Sequence, residues 1–406
     1  MSTTIAPTTI LETPPQTPAG FPTWFSDLQQ QAWTQFVNTP MPTRKDENWR
    51  FGNLKQLDFE GYCDETSSQI EYHIPELPEG VVCLPLEQAL QTHGDLVREH
   101  FMQRETRLGS AKFAALHKAR VKTGLFVYVP DGIRVEQPIE VSHVLAGDAA
   151  ASFPHTLVIT GKNAEVSVLD RFSSANDSDA GLCVAFNDLI VGDGSKLTYC
   201  AIQELNPASR MIQVNATTVG RDAHAVAFTL NTGAQWARNE SVSRLDAEGA
   251  HSDMLSCSIS ADTQQYDQRT YQHHAAPHTN SDLLYKNTLY GTSKTIFSGL
   301  ILVDQGAHYT DAYQTCRNLM MEDTAESNSM PGLEINADQV KCSHGSTSAS
   351  ISDEEIFYLR ARGIPPRQAR QLIANGFSVE AVERIRNKRL EEVVLAAVDR
   401  KFLAIG

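Results

Sequence analysis

Thr156-Leu157-Val158-Ile159-Thr160-Gly161-Lys162-Asn163-Ala164-Glu165-Val166-Ser167-Val168-Leu169 reads as two short strands joined by a tight turn. Both flanks are β-branched runs too short for a helix, and Gly161-Lys162-Asn163 carries residue types that tolerate turn backbone. Leu125-Phe126-Val127-Tyr128-Val129 has the same texture upstream, after Lys122. Downstream, turn chemistry recurs at Gly192-Asp193-Gly194, Gly220-Arg221-Asp222, Glu248-Gly249-Ala250, Gly291-Thr292-Ser293 and Asp304-Gln305-Gly306, with no long helical pattern between. This region is therefore expected to be all β. A sandwich or barrel would space its strands steadily and closely, whereas a parallel β-helix stacks coils of roughly 20–30 residues with irregular turns. The first turns recur about every 30 residues, which favours the solenoid. Its open ends call for caps, and helical segments on both sides can supply them.

On the N-terminal side, Trp24, Phe25, Leu28, Ala32, Trp33 and Phe36 recur at helical spacing over Pro22–Val37, and a second helical region runs from about Leu86 to Val121. Between them, Arg44–Phe51 alternates charge around Trp49 and reads as a solvated helix start packing one aromatic inward. On the C-terminal side, Ser352 and Glu355 form a capping box opening DEEIFYLRAR, with Gly363 as its stop. Pro365-Pro366 starts RQARQLIAN, closed by Gly376, and Val382, Ile385, Val393, Val394, Ala397, Val398 and Phe402 give a last amphipathic helix. The expected organisation is a disordered Pro/Thr-rich tail over 1–20, a mainly helical unit over 21–121, the β core over 122–346 and a helical unit over 347–406.

At 406 residues with 41% hydrophobic content, the chain can bury a large core. Its net charge of -15 disfavours nucleic acid and anionic membrane surfaces as partners. No run of roughly 18 apolar residues is present, so no transmembrane helix is expected. The first 20 residues fit neither a secretory nor an organellar presequence. Seven scattered cysteines without a C-x-x-C argue for a reducing compartment and against a disulfide framework or a self-contained cluster motif.

The candidate chemistry centres on Val340-Lys341-Cys342-Ser343-His344-Gly345. In an extended strand the period of two sends Cys342 and His344 to one face, where thiolate and imidazole suit zinc, copper or iron. A structural role and a thiol nucleophile with its base are the competing readings, and same-face neighbours roughly 7 Å apart are awkward for the latter. Gln272-His273-His274-Ala275-Ala276-Pro277-His278 reads as a polar turn at a coil edge. Glu322, Asp323 and Glu326, like Asp353-Glu354-Glu355, read as acidic turn and helix-start residues. Neither G-x-x-x-x-G-K-[ST] nor G-x-G-x-x-G occurs, so nucleotide hydrolysis would have to come from another chain.

Ala337–Gly345, followed by Ile356–Ile364 and then by Ala369-Arg370 to Asn375-Gly376-Phe377, resembles the SufD family of scaffold subunits in the SUF iron–sulfur cluster assembly machinery. Arg317-Asn318-Leu319-Met320 leading to Leu333-Glu334-Ile335 is similar to the segment before that motif, and Arg44–Phe51 resembles the family's N-terminal Arg-x-Asp-Glu-x-Trp-Arg signature. The resemblance implies a mainly β fold, with a right-handed parallel β-helix core flanked by N- and C-terminal helical domains. It implies a cytoplasmic, non-enzymatic scaffold that pairs with a SufB-type scaffold, binds a SufC-type ATPase and holds a transient iron–sulfur cluster, with a homodimer possible in isolation. His344 matches the family histidine implicated in nascent cluster formation at the SufB–SufD interface, and Cys342 the cysteine beside it; both are expected as metal ligands. Such an incomplete ligand set would be finished by a second chain. The C-terminal match implies ATPase docking through Phe357, Tyr358, Arg360, Arg362, Gly363, Ile364, Leu372 and Phe377. Cys316 stands where SufD sequences commonly have Asn and where the SufB branch carries an assembly cysteine, 28 residues before the motif histidine. It is a candidate third ligand. Ser346–Ser352 is also SufB-like, whereas Ser343-His344-Gly345-Ser346 replaces the Glu-His-Glu-Ala of SufB. The alternatives are a SufB-like scaffold acting as a homodimer and a β-helix carbohydrate-active enzyme, which would call for a secretory signal.

Overall fold

The structure, a computed structural model, describes residues 9–64 and 68–405. From Gly124–Val129 to Lys341–Ser350 the strands wind back and forth between two sheets, of nine and ten strands, so that each coil adds one strand to each. Neighbouring coils pair in parallel with every residue in register, for example Arg210 to Val219 on Trp236 to Leu245. The offset between paired residues runs from 26 (Arg210 to Trp236) to 32 (Lys294 to Glu326), which is the turn period read from the sequence. The expected parallel β-solenoid is what the chain forms.

Strands of about ten residues present alternate side chains to the lumen and to the outside. The lumen changes character along the stack. Near its start it is mostly apolar, filled by Leu125, Val127, Val141, Val158, Val168 and Ala237, with one buried polar set in which Tyr199 Oη donates to Asp170 at 2.7 Å and His143 lies 3.2 Å from the same carboxylate. Later coils line it with amides and hydroxyls that bond to one another: Asn239 Nδ2 donates to Gln213 (3.1 Å), Gln268 Nε2 to Ser258 (2.9 Å) and Asn287 Nδ2 to Asn318 (2.8 Å). Each of these side chains makes at least one bond, while Gln213 Nε2, Asn239 Oδ1, Gln268 Oε1 and Asn287 Oδ1 are buried without a protein partner among the described residues.

The two ends of the stack differ. At the first coil, Gln69–His73 lies antiparallel on Ile139–Leu145, and Val82–Pro85 lies antiparallel on Gly124–Val129. At the last, Glu326–Ile335 and Lys341–Ser350 are the terminal strands of their sheets, and none of their residues is fully buried.

Helices cover the outer faces. Trp49, Phe59, Phe113 and Leu116 pack on Leu182, Val184, Ile212 and Trp236 of the ten-stranded sheet. On the nine-stranded sheet, Phe228, Leu255 and Ile259 meet Ala374, Val382, Val394, Val398 and Phe402 from helices Pro366–Glu383 and Lys388–Ile405. Among the described residues no helix is long and apolar enough to cross a membrane.

The structure departs from the sequence reading in four places. The C-terminal helices expected to cap an open end pack on the outer face of the nine-stranded sheet instead and, among the described residues, leave the last coil uncovered, because their apolar faces match Phe228, Leu255 and Ile259 there. Residues 1–8 of the expected disordered tail lie outside the described residues, but the tail from Thr9 onward is bound. Ile10 is fully buried, its N–H donates to Tyr62 O, and its carbonyl accepts from Arg120 Nε at 3.0 Å. One buried apolar residue and a guanidinium outweigh the Pro/Thr composition there. Gly376 does not stop its helix, which continues to Glu383, because Ala374, Ser378, Ala381 and Val382 bury one face across it. That burial offsets the cost of about 1 kcal/mol for a mid-helix glycine. The expected last amphipathic helix breaks instead at Arg386, whose φ is +56°, so Val382 and Ile385 precede a turn and a new helix runs from Lys388 to Ile405.

Arg44–Phe51 does more than pack one aromatic. Trp49 is buried, its Nε1 donates to Gly109 O at 3.0 Å, and the Arg238 guanidinium lies 3.7 Å over its ring. Arg238 bonds Glu240 (2.7 Å) and Asp267 (2.6 Å), Arg269 bonds Asp267 (2.6 Å), and all four side chains are almost fully buried. Arg238 and Arg269 also donate to the carbonyls of Asn48 and Arg50, which ties the segment to two adjacent coils. Gly109, at φ +110°, must be glycine: a Cβ there would sit 2.8 Å from Trp49 Nε1. Arg238→Met should leave Glu240 and Asp267 short of a cation in a dry site and cost about 3–5 kcal/mol. Thermal and urea unfolding would measure this, with a change below about 1 kcal/mol counting against a structural role for the cluster.

Candidate functional site at the open end of the solenoid

The terminal strand Lys341–Ser350 pairs with Asp311–Met320 so that Cys342, His344, Ser346 and Ser348 extend the row of Ala312, Gln314, Cys316 and Asn318. Those four residues of the inner strand are buried and face the lumen. With no coil stacked beyond it, the same face of the terminal strand is open, and His344 is exposed there. The period-two reading is therefore realised: Cys342 and His344 share a face, and that face is the mouth of the lumen.

Their surroundings differ. Cys342 is half-buried against Ile301, Val303, Ala307 and Ala312, and burial, reinforced by the nearby Asp311 carboxylate, pushes its thiol up. Cys316 is fully buried, with Asn287 Nδ2 3.7 Å and Asn318 Oδ1 3.8 Å from its sulfur. Burial pushes that thiol up to about 12, more than its hydrogen bonds lower it. Register places Cys316 opposite Ser346, two positions from His344 and four from Cys342. At about 3.3 Å per residue the two thiols are about 13 Å apart along the strands, whereas ligands of one ion lie within about 4.5 Å of each other. The three candidate ligands form a row rather than a closed site, with His344 in the middle. Such a row does not close a coordination shell by itself.

Of the residues expected to dock an ATPase, Phe357 and Tyr358 lie exposed on helix Asp353–Arg360, which buries no side chain and whose Ser352 cap accepts from Glu355 N. Arg362 stacks on Tyr358 at 3.4 Å, Arg360 is exposed, and Gly363 takes the φ of +83° that ends the helix. Leu372 is exposed and Ile364 partly covered. Phe377 turns the other way, onto the sheet, with Lys286 Nζ 4.2 Å from its ring centre. The imidazoles of the 272–278 stretch separate: His273 bonds Asp304 (2.8 Å), His274 bonds Thr279 and Ser281, and His278 stacks on Tyr309. Burial, helped by His273, lowers His274 to about 3, which keeps it neutral.

Among the described residues, the group whose potential ligand atoms do converge is His224, His251 and Asp253 on the outer face. Its signal in the sequence is a separation of one coil, 27 residues between the histidines, legible only after the register is known.

The thiol environments predict an order of alkylation. Iodoacetamide at neutral pH should reach Cys342 slowly and Cys316 only after unfolding, with Cys342 labelling rising as pH climbs, since a raised thiol forms thiolate later. Peptide mass spectrometry of native and urea-treated protein checks this; early labelling of Cys316 would contradict its burial.

Residues 143–377 match the family described as SUF system FeS cluster assembly, SufBD core domain, and residues 60–141 match the SufBD protein N-terminal region. The chain is 29% identical to the iron–sulfur cluster assembly protein SufD of Escherichia coli over 395 residues, 93% of each chain. It is 24% identical to SufD of Bacillus subtilis over 94% of each, and 24% identical to SufB of the same organism over 88% of this chain and 84% of that one. With the core match spanning more than half of its length and a two-sheet parallel solenoid beneath it, this chain belongs to the SufBD family.

Proposed function

We propose that this chain is a SufD-type, non-enzymatic scaffold of cytoplasmic iron–sulfur cluster assembly, which pairs with a SufB-type scaffold across its open terminal coil. The observation that carries the proposal is the uncovered final coil, whose lumen row ends in exposed His344. Two ten-residue edges with free backbone groups are a template for strand pairing with another chain. The cluster is cargo. His344 supplies an imidazole ligand, half-buried Cys342 stands beside it, and the partner completes the set. A half-site suits release, because a closed thiolate site would retain its metal. Cys316 serves as a buried lumen thiol, activated only if desolvation is relieved or a metal takes its proton. Of the arginine and carboxylate cluster that the carbohydrate-enzyme alternative would place along a groove, Arg238, Asp267 and Arg269 are instead paired with one another and buried beneath the N-terminal segment.

Co-expression with SufB-type and SufC-type partners, followed by iron and sulfide analysis of the purified complex, tests the site. His344→Ala should lower cluster content severalfold with the complex still assembled, and Cys342→Ser should have a smaller effect. Unchanged cluster content in His344→Ala would sink the assignment. A chain that loads a full cluster as a homodimer would favour the SufB-like reading.

Docking of the SufC-type ATPase is assigned to the exposed helix Asp353–Arg360 with Phe357, Tyr358 and Leu372. Phe377 and the buried faces of the last two helices hold the unit to the sheet, so removing the whole segment would strip the core. Phe357→Asp with Tyr358→Asp should weaken ATPase capture by at least about tenfold while leaving Tm unchanged, as expected for anchor residues of an interface. Retained capture in a pull-down with the pure ATPase would refute this placement.

A further inference from the structure

His224 and His251 occupy paired positions on adjacent strands, and Asp253 follows two residues along on the same face. His224 Nε2 lies 2.9 Å from one carboxylate oxygen of Asp253, and His251 Nε2 lies 3.2 Å from the other. The two rings are 4.3 Å apart between centres. All three ligand atoms lie within 4.8 Å of one another. Ligand atoms held at about 2.0–2.2 Å from one ion are themselves about 3 Å apart, so these separations already approximate the edges of a coordination shell.

We propose that His224, His251 and Asp253 bind a divalent first-row transition ion of the Zn²⁺ or Fe²⁺ type on the outer face of the nine-stranded sheet. Two imidazoles and one carboxylate are a recurrent set for such ions, leaving the remaining positions to solvent or a small ligand. The backbone beneath them is two strands locked by a parallel ladder, so the ligands need only rotate and lose protons. Access is open: the side chains of His224 and His251 are 27% and 41% exposed, while Asp253 is the more sheltered at 14%. Burial works against ionising Asp253, but hydrogen bonds from His224 and His251 more than offset it and hold the carboxyl below its usual range, ready as an anionic ligand. The next charges along the rows are Lys196, paired with His224, and Asp282, paired with Asp253 and held by Arg384 at 2.5 Å.

The position gives the ion a consequence. Arg384 and Asn387 belong to the turn between the last two helices, and Asn387 reaches Ser167 in the same cross-sheet row that contains Asp253. An ion at His224, His251 and Asp253 would cross-link two coils beside the point where that turn is fastened.

The test is anaerobic titration of the purified full chain with Co²⁺, then displacement by Zn²⁺. Wild type should take up one equivalent with the visible bands of nitrogen and oxygen ligation and no sulfur-to-cobalt charge transfer, and Zn²⁺ should raise Tm. His224→Ala/His251→Ala should lose that equivalent and the Tm rise, and the near-isosteric Asp253→Asn should weaken uptake by at least about tenfold. Far-UV circular dichroism shows whether the variants remain folded. His344→Ala/Cys342→Ser should bind as wild type does. Absence of uptake by wild type, a thiolate charge-transfer band, or an equivalent that survives His224→Ala/His251→Ala and disappears with His344 and Cys342 would each overturn the proposal.

Discussion

A stack of parallel coils satisfies the backbone groups of every strand except those at its two ends, and the architecture follows from how each end is treated. Inner strands exchange hydrogen bonds with the coil above and below, so they can bury both faces. An end strand has one free edge, which in water is a pairing site for any other edge. At the first coil the chain itself removes the hazard by laying Gln69–His73 and Val82–Pro85, which precede it in sequence, on the two edges in the antiparallel sense. Nothing comparable covers Glu326–Ile335 or Lys341–Ser350 among the described residues. One end is thus closed by the chain itself, while the other presents two unpaired strand edges with an exposed histidine on the lumen row.

The lumen prepares that asymmetry. Its mostly apolar start fixes register strongly, because a slip of one residue would expel every lumen side chain to the outside. Toward the open end the stacking of Asn287 on Asn318, with Asn318 in turn donating to Ser348 at 3.1 Å, carries a polar hydrogen-bonded row to the last strand. Polar rows specify partners more narrowly than apolar ones, since each unpaired group is costly. Cys316 sits beside this row, opposite Tyr285 and Ser346, its sulfur among amide and hydroxyl groups as well as aromatic rings.

What was legible in the sequence was whatever depends on neighbours in the chain. Turn residues about one coil apart revealed the solenoid, and Ser352 with Glu355 marked a real helix start. What depends on stacking was not legible. Arg238 and Asp267 are 29 residues apart and meet only through register, and their tie to Asn48 spans 190 residues. Gln69–His73 alternates Ile70 and Tyr72 with polar residues over five positions only, too short a signal to show which edge it covers. The same limit applied to the site: the family resemblance grouped Cys316, Cys342 and His344, while the ladder spreads them along one row, and it brings His224 to His251 and Asp253 from one coil away.

The period of two also decides how the helical unit and the terminal coil are joined. On strand Asn280–Leu289, Asp282 and Lys286 point outward, to Arg384 and to Glu380, and Glu380 also meets Arg317 of the following strand at 3.5 Å. The alternate residues of those strands, Tyr285 and Cys316, point into the lumen and touch in one cluster with Phe297. Helix Pro366–Glu383 is thus bound by charge to the two strands whose inner faces precede His344 by one and two coils. Its outward side continues to Leu372 and to the uncovered Asp353–Arg360 helix. Strands are stiff along their length and paired on both edges, so the shortest physical connection between the exposed helices and the lumen mouth runs through two strands only. Through Glu380 and Arg317 the helix Pro366–Glu383 is in direct contact with the strand that holds Cys316 and pairs with the strand of His344.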